Sequence, residues 1–209
     1  PVFPCVVAAM LDSSVKRRKE IETLTSIPVY GELPRKPRKL KNQEIVVNLE
    51  EPSELSECFP LLAERMVALS DGNEGNPLSV LITSTCSGEG KTYLSVNLAL
   101  SLAVAGKKVL LMDMDLRKGA LSALLGGAGK PGLGDLEQAG EGGWRSLVEQ
   151  SPVSDHLDYL FAGTVPDHPS RLLLHDRIRK LMEEVKEQYD FIFMDCVPYS
   201  SLADARIVA

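Results

Sequence analysis

Nine consecutive residues, Ser84-Thr85-Cys86-Ser87-Gly88-Glu89-Gly90-Lys91-Thr92, have the make-up of a phosphate cradle. Glycines let backbone N–H groups converge on phosphate oxygens, and a helix opening directly behind the loop adds the favourable end of its dipole. Lys91 would bring charge to the β- and γ-phosphates, and the Thr92 hydroxyl would ligate Mg2+. Such loops usually begin with a glycine; Thr85 stands at that position here. The stretch predicted to hold a nucleotide is Ser87, Gly88, Glu89, Gly90, Lys91, Thr92 and Tyr93.

Two acidic strand ends accompany this loop. In Val109-Leu110-Leu111-Met112-Asp113-Met114-Asp115-Leu116-Arg117, carboxylates at i and i+2 follow an apolar run. They would leave the carboxyl edge of a sheet, where ligands of open α/β sheets bind. Phe191-Ile192-Phe193-Met194-Asp195 ends a second apolar run in a carboxylate suited to hold Mg2+ through water. Either Asp taken singly is as readily a solvated or capping residue. Behind a phosphate loop, the three make one chemical set.

The elements that must position these residues alternate. Leu78–Thr83 reads as a strand, Lys91–Ala105 as a helix stopped by Gly106, and Val109–Met112 as a second strand. Leu157–Phe161 and Phe191–Met194 are further strands, and Ser170–Gln188 reads as one long amphipathic helix with Leu173, Ile178, Leu181 and Val185 near one face. The Gly-rich stretch from Gly126 to Gly143 shows only a turn of helix near Leu136. Wholly apolar strands separated by helices predict a doubly wound, mainly parallel α/β sheet covered on both faces.

Upstream, Ser13 and Ser14 can cap a helix over Val15–Thr25 with Ile21 and Leu24 on its inner side, and Ile27–Pro34 reads as a short strand. Arg35–Asn42 is a basic, proline-broken linker. Pro52-Ser53-Glu54 opens a helix running to about Leu69, with Pro60 interrupting its middle, and Asp71–Pro77 is a turn cluster. The expected organisation is therefore an extension and linker over residues 1–42 and a nucleotide-binding domain over 43–209. The chain ends at Ala209 inside what reads as another helix, where a doubly wound sheet would be expected to continue.

Composition is that of a globular protein: 44% hydrophobic and 25% charged residues. Four cysteines, Cys5, Cys58, Cys86 and Cys196, show neither a disulfide nor a zinc spacing, which implies a reducing compartment. Cys86 and Cys196 read as small space-filling residues with a redox role as the alternative, and Trp144 reads as packing. His156, His168 and His175 have no ligand spacing. No run reaches the length of a membrane span; Phe3–Leu11 is apolar over nine residues only. The net charge of −6 divides unevenly, because residues 1–41 hold nine Lys/Arg against four Asp/Glu, leaving −11 for the remainder. An acidic domain argues against nucleic-acid binding. Its basic leader suits an anionic membrane face, although Lys16-Arg17-Arg18-Lys19 is equally a solvated helix face.

Taken together, the motifs resemble the bacterial protein-tyrosine kinases that regulate capsule and exopolysaccharide export. Those kinases share Walker A, a second Asp-x-Asp Walker motif and Walker B with partition-type ATPases. Residues 12–34 look like the juxtamembrane end of the family's chain-length-determinant module. Asn97–Ala103, Gly106–Val109, Leu160–Gly163, Pro166 and Pro169 also match closely. The resemblance implies ATP and ADP as nucleotides with Mg2+, held by Thr92, Asp195 and Asp113, partly through water. It makes Lys91, Asp113 and Asp115 the catalytic residues, with Asp113 activating a tyrosine hydroxyl and Asp115 and Asp195 organising metal and phosphate. It implies tyrosine-containing protein substrates, an export or chain-length membrane protein as partner (its own N-terminal module or a separate chain), and a cytoplasmic domain associated with the inner membrane.

Four features depart from related patterns. Cys86 replaces the signature lysine of the partition ATPases, which moves the reading toward the kinases. The family's oligomerisation helix carries Glu-x-x-Arg-x-x-Arg, whereas Glu57 is followed by Pro60 and Ala63, so only weak oligomerisation is expected. Lys118-Gly119 replaces a basic residue and proline, and the tyrosine-rich tail does not occur; Tyr199 is not a cluster. Two alternatives stay open: a nucleotide-binding regulatory module with little kinase activity, and a partition-type ATPase.

Overall fold

The computed structural model describes residues 15, 18–40, 43–47, 53–72, 76–140 and 142–199. The chain forms two compact units, residues 1–34 and 35–209. In the first, helix α1 spans Arg18–Leu24 and buries no residue. Ile21 is 37% and Leu24 81% exposed, so the predicted inner face is solvated. Residues 27–34 form no strand. Pro28 and Pro34 lack the N–H that a ladder needs. The predicted caps Ser13 and Ser14, Lys16 and Arg17 of the basic run, Phe3–Leu11, the middle of the turn cluster and the segment after Tyr199 lie outside the described residues.

The second unit is built on one sheet. Its strands are β1 (Leu78–Ile82), β2 (Val109–Asp113), β3 (Val148–Gln150), β4 (Leu157–Leu160) and β5 (Phe191–Asp195), in the order β1-β5-β2-β4-β3. All neighbouring pairs are parallel except β3–β4. β2 and β5 are buried at every position, as expected of strands covered on both faces. β3 has no counterpart in the sequence reading. Three residues, two of them polar, carry no period-2 signal, and only pairing with β4 makes them a strand.

Helix α3 (Lys91–Val104) packs on this sheet, and helix α2 (Glu54–Asp71) packs against α3. Ser53 caps α2 by accepting from the Ser56 N–H at 3.1 Å. Pro60 does not divide α2, contrary to expectation. The stripe Leu55, Phe59 and Ala63 is buried on both sides of the proline, so burial worth about 1.5–3 kcal/mol per large side chain offsets a missing N–H on an exposed turn. α3 is buried continuously from Ser95 to Ala103, the pattern of a central helix. Gly106, at φ 81°, ends it.

After β2 come helix α4 (Ala120–Leu124), a 3-10 turn at Leu133–Asp135, α5 (Leu136–Ala139) and a second 3-10 turn at Gly143–Leu147. The single helix predicted over Ser170–Gln188 is two, α6 (Pro169–Leu173) and α7 (Asp176–Lys186). Leu173 and Ile178 are five residues apart, which shifts the apolar face by more than one helical step. The chain absorbs this at His175, whose Nδ1 caps α7 by accepting from the Arg177 N–H at 3.2 Å. Leu173, Ile178, Leu181 and Val185 are all buried, as their spacing predicts.

Candidate active site

Strand register brings the three motifs together. Ile82 pairs with Asp195, and Asp195 pairs with Asp113, so the phosphate loop and both acidic strand ends leave the sheet at one level of its carboxyl edge. The Cys196 N–H donates to the Ile82 carbonyl, and the Met114 N–H to the Asp195 carbonyl, each at 3.0 Å.

The loop is shaped by its own residues. Gly88 and Gly90 have φ of 86° and 93°, a left-handed geometry that other L-residues adopt at a cost. Glu89 Oε2 accepts the N–H groups of Thr85 and Cys86 at 2.9 and 3.1 Å. The Glu89 carboxylate therefore braces the loop's entry, while Ser87, Gly88, Gly90, Lys91, Thr92 and Tyr93 line a cleft of about 370 Å³. The opposite strand end is tied down by Thr83 Oγ1, which donates to the Val197 carbonyl at 2.9 Å.

Thr92 Oγ1 donates to Asp195 Oδ2 at 2.7 Å, and Ser95 Oγ donates to Asp195 Oδ1 at 3.0 Å. Thr92 and Ser95 lie three residues apart on one helix face. Burial raises the Asp195 carboxyl above its ordinary pKa, against the lowering effect of those two hydroxyls and of Lys91. A hydroxyl and a carboxylate at the foot of a phosphate loop are hard oxygen donors, and they fit Mg2+, which takes few protein ligands and completes its shell with water and phosphate. Among the described residues, no group of three or more His, Cys, Asp or Glu could hold a metal by itself.

Asp113 and Asp115 differ in setting. Asp113 is wholly buried. Its Oδ2 accepts from Ser122 N–H at 2.8 Å and Ser122 Oγ at 2.7 Å, and its Oδ1 from the Asp115 N–H at 3.1 Å. Burial lifts its pKa to about 6, against these hydrogen bonds. Asp115 is half-buried and lines the cleft with Arg117 and Lys118, and its Oδ1 accepts from the Lys118 N–H at 3.0 Å. Asp113 thus stands one step behind the cleft wall and Asp115 in it.

Three participants escape the motif reading. Ser95 was legible as the residue one turn beyond Thr92. Ser122, which also accepts the Ala162 N–H at 2.9 Å, gave no signal, because it is an ordinary serine until α4 folds over β2. Glu44 reaches the cleft from the chain before α2, and nothing in its local sequence marks it.

A parallel sheet with a phosphate loop after its first strand and acidic ends on two central strands defines a P-loop nucleotide-binding protein. Residues 80–204 match the family described as the CobQ/CobB/MinD/ParA nucleotide binding domain. EpsB of Ralstonia solanacearum is 42% identical over 135 residues, covering 65% of this chain and 18% of that protein. The tyrosine-protein kinase YwqD of Bacillus subtilis is 34% identical over 178 residues, covering 83% of this chain and 72% of YwqD. The kinase domain of the Escherichia coli tyrosine kinase ETK superposes with a TM-score of 0.76 at 27% identity, over 92% of this chain and 76% of that one. Within that nucleotide-binding family, the chain belongs to the bacterial tyrosine-protein kinases. It spans 18% of the length of the first curated relatives it matches.

Proposed function

We propose that this domain transfers the γ-phosphoryl group of ATP to protein tyrosine and regulates capsule or exopolysaccharide export. The observation that carries the reading is the meeting of Lys91, Thr92, Asp115, Arg117 and Lys118 at one cleft, with the buried Asp195 hydrogen-bonded to Thr92 beneath it. Phosphoryl transfer needs positioning and charge neutralisation more than covalent chemistry. The loop N–H groups and Lys91 would hold the phosphates. Thr92 and Asp195 would hold Mg2+, which, when bound, neutralises charge on the β- and γ-oxygens. A carboxylate near the acceptor would take the tyrosine proton. Asp115 faces the cleft, whereas Asp113 would have to release a Ser122 contact to do so; Asp115 is therefore the better placed base and Asp113 the group that orients it.

Under this reading ATP and ADP are the nucleotides, tyrosine-containing proteins the substrates and a membrane export protein the partner. The domain would work on the cytoplasmic side of the inner membrane. No described helix is long and apolar enough to cross a membrane.

Phosphotyrosine detection with ATP, Mg2+ and a tyrosine polymer tests the assignment. Lys91→Met should lose Mg·ADP binding and phosphorylation while melting like the wild type. Asp115→Asn should keep Mg·ADP and lose at least about a hundredfold in rate, the usual scale of a general base. Full activity in Asp115→Asn together with loss in Asp113→Asn returns the base role to Asp113, and unchanged ADP affinity in Lys91→Met overturns the site altogether. A second reading, a nucleotide-dependent regulatory module, is favoured by α2: Pro60 and Ala63 stand where the resembling kinases carry arginines, and Ala63 is buried. Nucleotide binding without phosphotransfer by the wild type would select it.

A further inference from the structure

Most of the nucleotide cleft belongs to the P-loop and the two acidic strand ends, but one wall comes from elsewhere. Residues 43–47 form a strap along α3, ahead of α2. Asn97, wholly buried in α3, holds it by three hydrogen bonds, and a fourth returns to α3 itself. Its Oδ1 accepts from the Val46 N–H at 2.7 Å and the Val47 N–H at 3.3 Å. Its Nδ2 donates to the carbonyls of Glu44 and Tyr93, each at 2.8 Å. Val46 and Val47 are buried beside it.

The strap delivers one side chain to the cleft, Glu44. Lys36 Nζ lies 3.5 Å from Glu44 Oε1 and 4.6 Å from the centroid of the Tyr93 ring. Tyr93 also lines the cleft, stacks edge-on against Phe59, and keeps a buried hydroxyl that has no hydrogen-bond partner among the described residues. Burial, with the Glu44 charge adding to it, raises its pKa to about 12; the phenol stays protonated and is available as a donor.

Lys36 and solvent satisfy Glu44 when no ligand is bound. Once an anionic ligand enters, the Glu44 carboxylate repels phosphate and is favourable only beside hydrogen-bond donors of that ligand. At neutral pH the phosphates of a nucleotide offer acceptors, so the donors lie on its nucleoside, as sugar hydroxyls and the base amine. A vicinal diol suits a carboxylate, and acidic residues take that role in other nucleotide-binding folds. We propose that the strap forms the nucleoside end of the nucleotide site, with the Glu44 carboxylate accepting hydrogen bonds from the sugar hydroxyls and Asn97 as the positioning residue that holds the strap there. The proposal rests on the nucleotide-binding reading above and adds to it a subsite outside the three phosphate-and-metal motifs.

Calorimetry with Mg·ADP and Mg·2′,3′-dideoxy-ADP tests it on the wild type and Glu44→Ala. Glu44 is exposed and outside any helix or strand, so the variant should melt like the wild type. The wild type should bind the dideoxy nucleotide about tenfold more weakly, the scale of one hydrogen bond to a charged acceptor. Glu44→Ala should bind Mg·ADP about tenfold more weakly and treat the two nucleotides alike. If Glu44→Ala keeps the wild-type discrimination, or the wild type shows none, the sugar contact is wrong while the phosphate site stands. If the wild type binds neither nucleotide, the nucleotide reading fails and this subsite fails with it.

Discussion

Asn97→Ala is the most informative perturbation of the scaffold, because one buried amide holds a whole segment. Its removal leaves the N–H groups of Val46 and Val47 and the carbonyl of Glu44 without partners. Were the strap to stay docked, each orphaned group would cost about 1–3 kcal/mol, or roughly 3–9 kcal/mol in sum. The strap has a cheaper course. By peeling into water it rehydrates those groups and regains about 1–2 kcal/mol of backbone entropy per residue, giving up the burial of Val46 and Val47 at about 1.5–3 kcal/mol each. Peeling therefore limits the damage. In denaturant unfolding the variant should lose well under the roughly 3–6 kcal/mol of valine burial given up, because backbone entropy is regained, and the loss should be local. Hydrogen exchange at Val46 and Val47 should accelerate by at least about a hundredfold, while β2 and β5 remain protected. Unchanged exchange at those two amides, or a cooperative loss well above 5 kcal/mol, would refute the view of a strap held chiefly by Asn97. Asn97→Asp should also release it, since a carboxylate cannot donate to the Glu44 and Tyr93 carbonyls.

Two further outcomes can be measured directly. Burial pushes the Asp135 carboxyl up, but hydrogen bonds from Thr164, at 3.0 Å, and Gly132, at 2.8 Å, outweigh it and hold it below its ordinary value. The stabilisation is therefore present above the unfolded carboxylate pKa, about 3.9, and lost as pH falls through the folded value; Asp135→Asn should cost about 1 kcal/mol at pH 7, and a melting-temperature difference that persists undiminished at pH 3 would contradict this. The 209-residue chain should be monomeric or weakly dimeric at micromolar concentration with Mg·ADP, since Pro60 and Ala63 cannot supply the charge-assisted contacts that two arginines would. Light scattering that reports a stable ring would show that another surface of α2 replaces them.

Much of the site was legible because its chemistry is local. Gly88, Gly90, Lys91 and Thr92 adjoin one another in sequence, and Asp113, Asp115 and Asp195 each follow an apolar strand whose length places them at a sheet edge. The same local logic found the parallel sheet, the helix over residues 91–104 and the buried face of α7. It erred where two local signals conflicted. Pro60 opposes a helix that Leu55, Phe59 and Ala63 favour, and burial won. The sequence from 170 to 188 is helical by propensity, and the slip between Leu173 and Ile178 with a histidine cap divided it.

What the sequence alone determined is the candidate set of groups for phosphate and Mg2+, since backbone freedom at glycine, lysine charge and carboxylate placement after a strand are properties of short segments. Tertiary structure decided which of them face the cleft. Asp113 and Asp115 are equivalent on paper, two carboxylates two residues apart, and only the closure of α4 over β2, bringing Ser122 onto Asp113, separates a buried anchor from a cleft residue. Glu44 lies 47 residues before Lys91 in sequence, and only the Asn97 contacts, 50 and 51 residues apart, carry it to the same pocket. Contacts between distant segments depend on how the helices pack on the sheet, and no pattern within either segment encodes them.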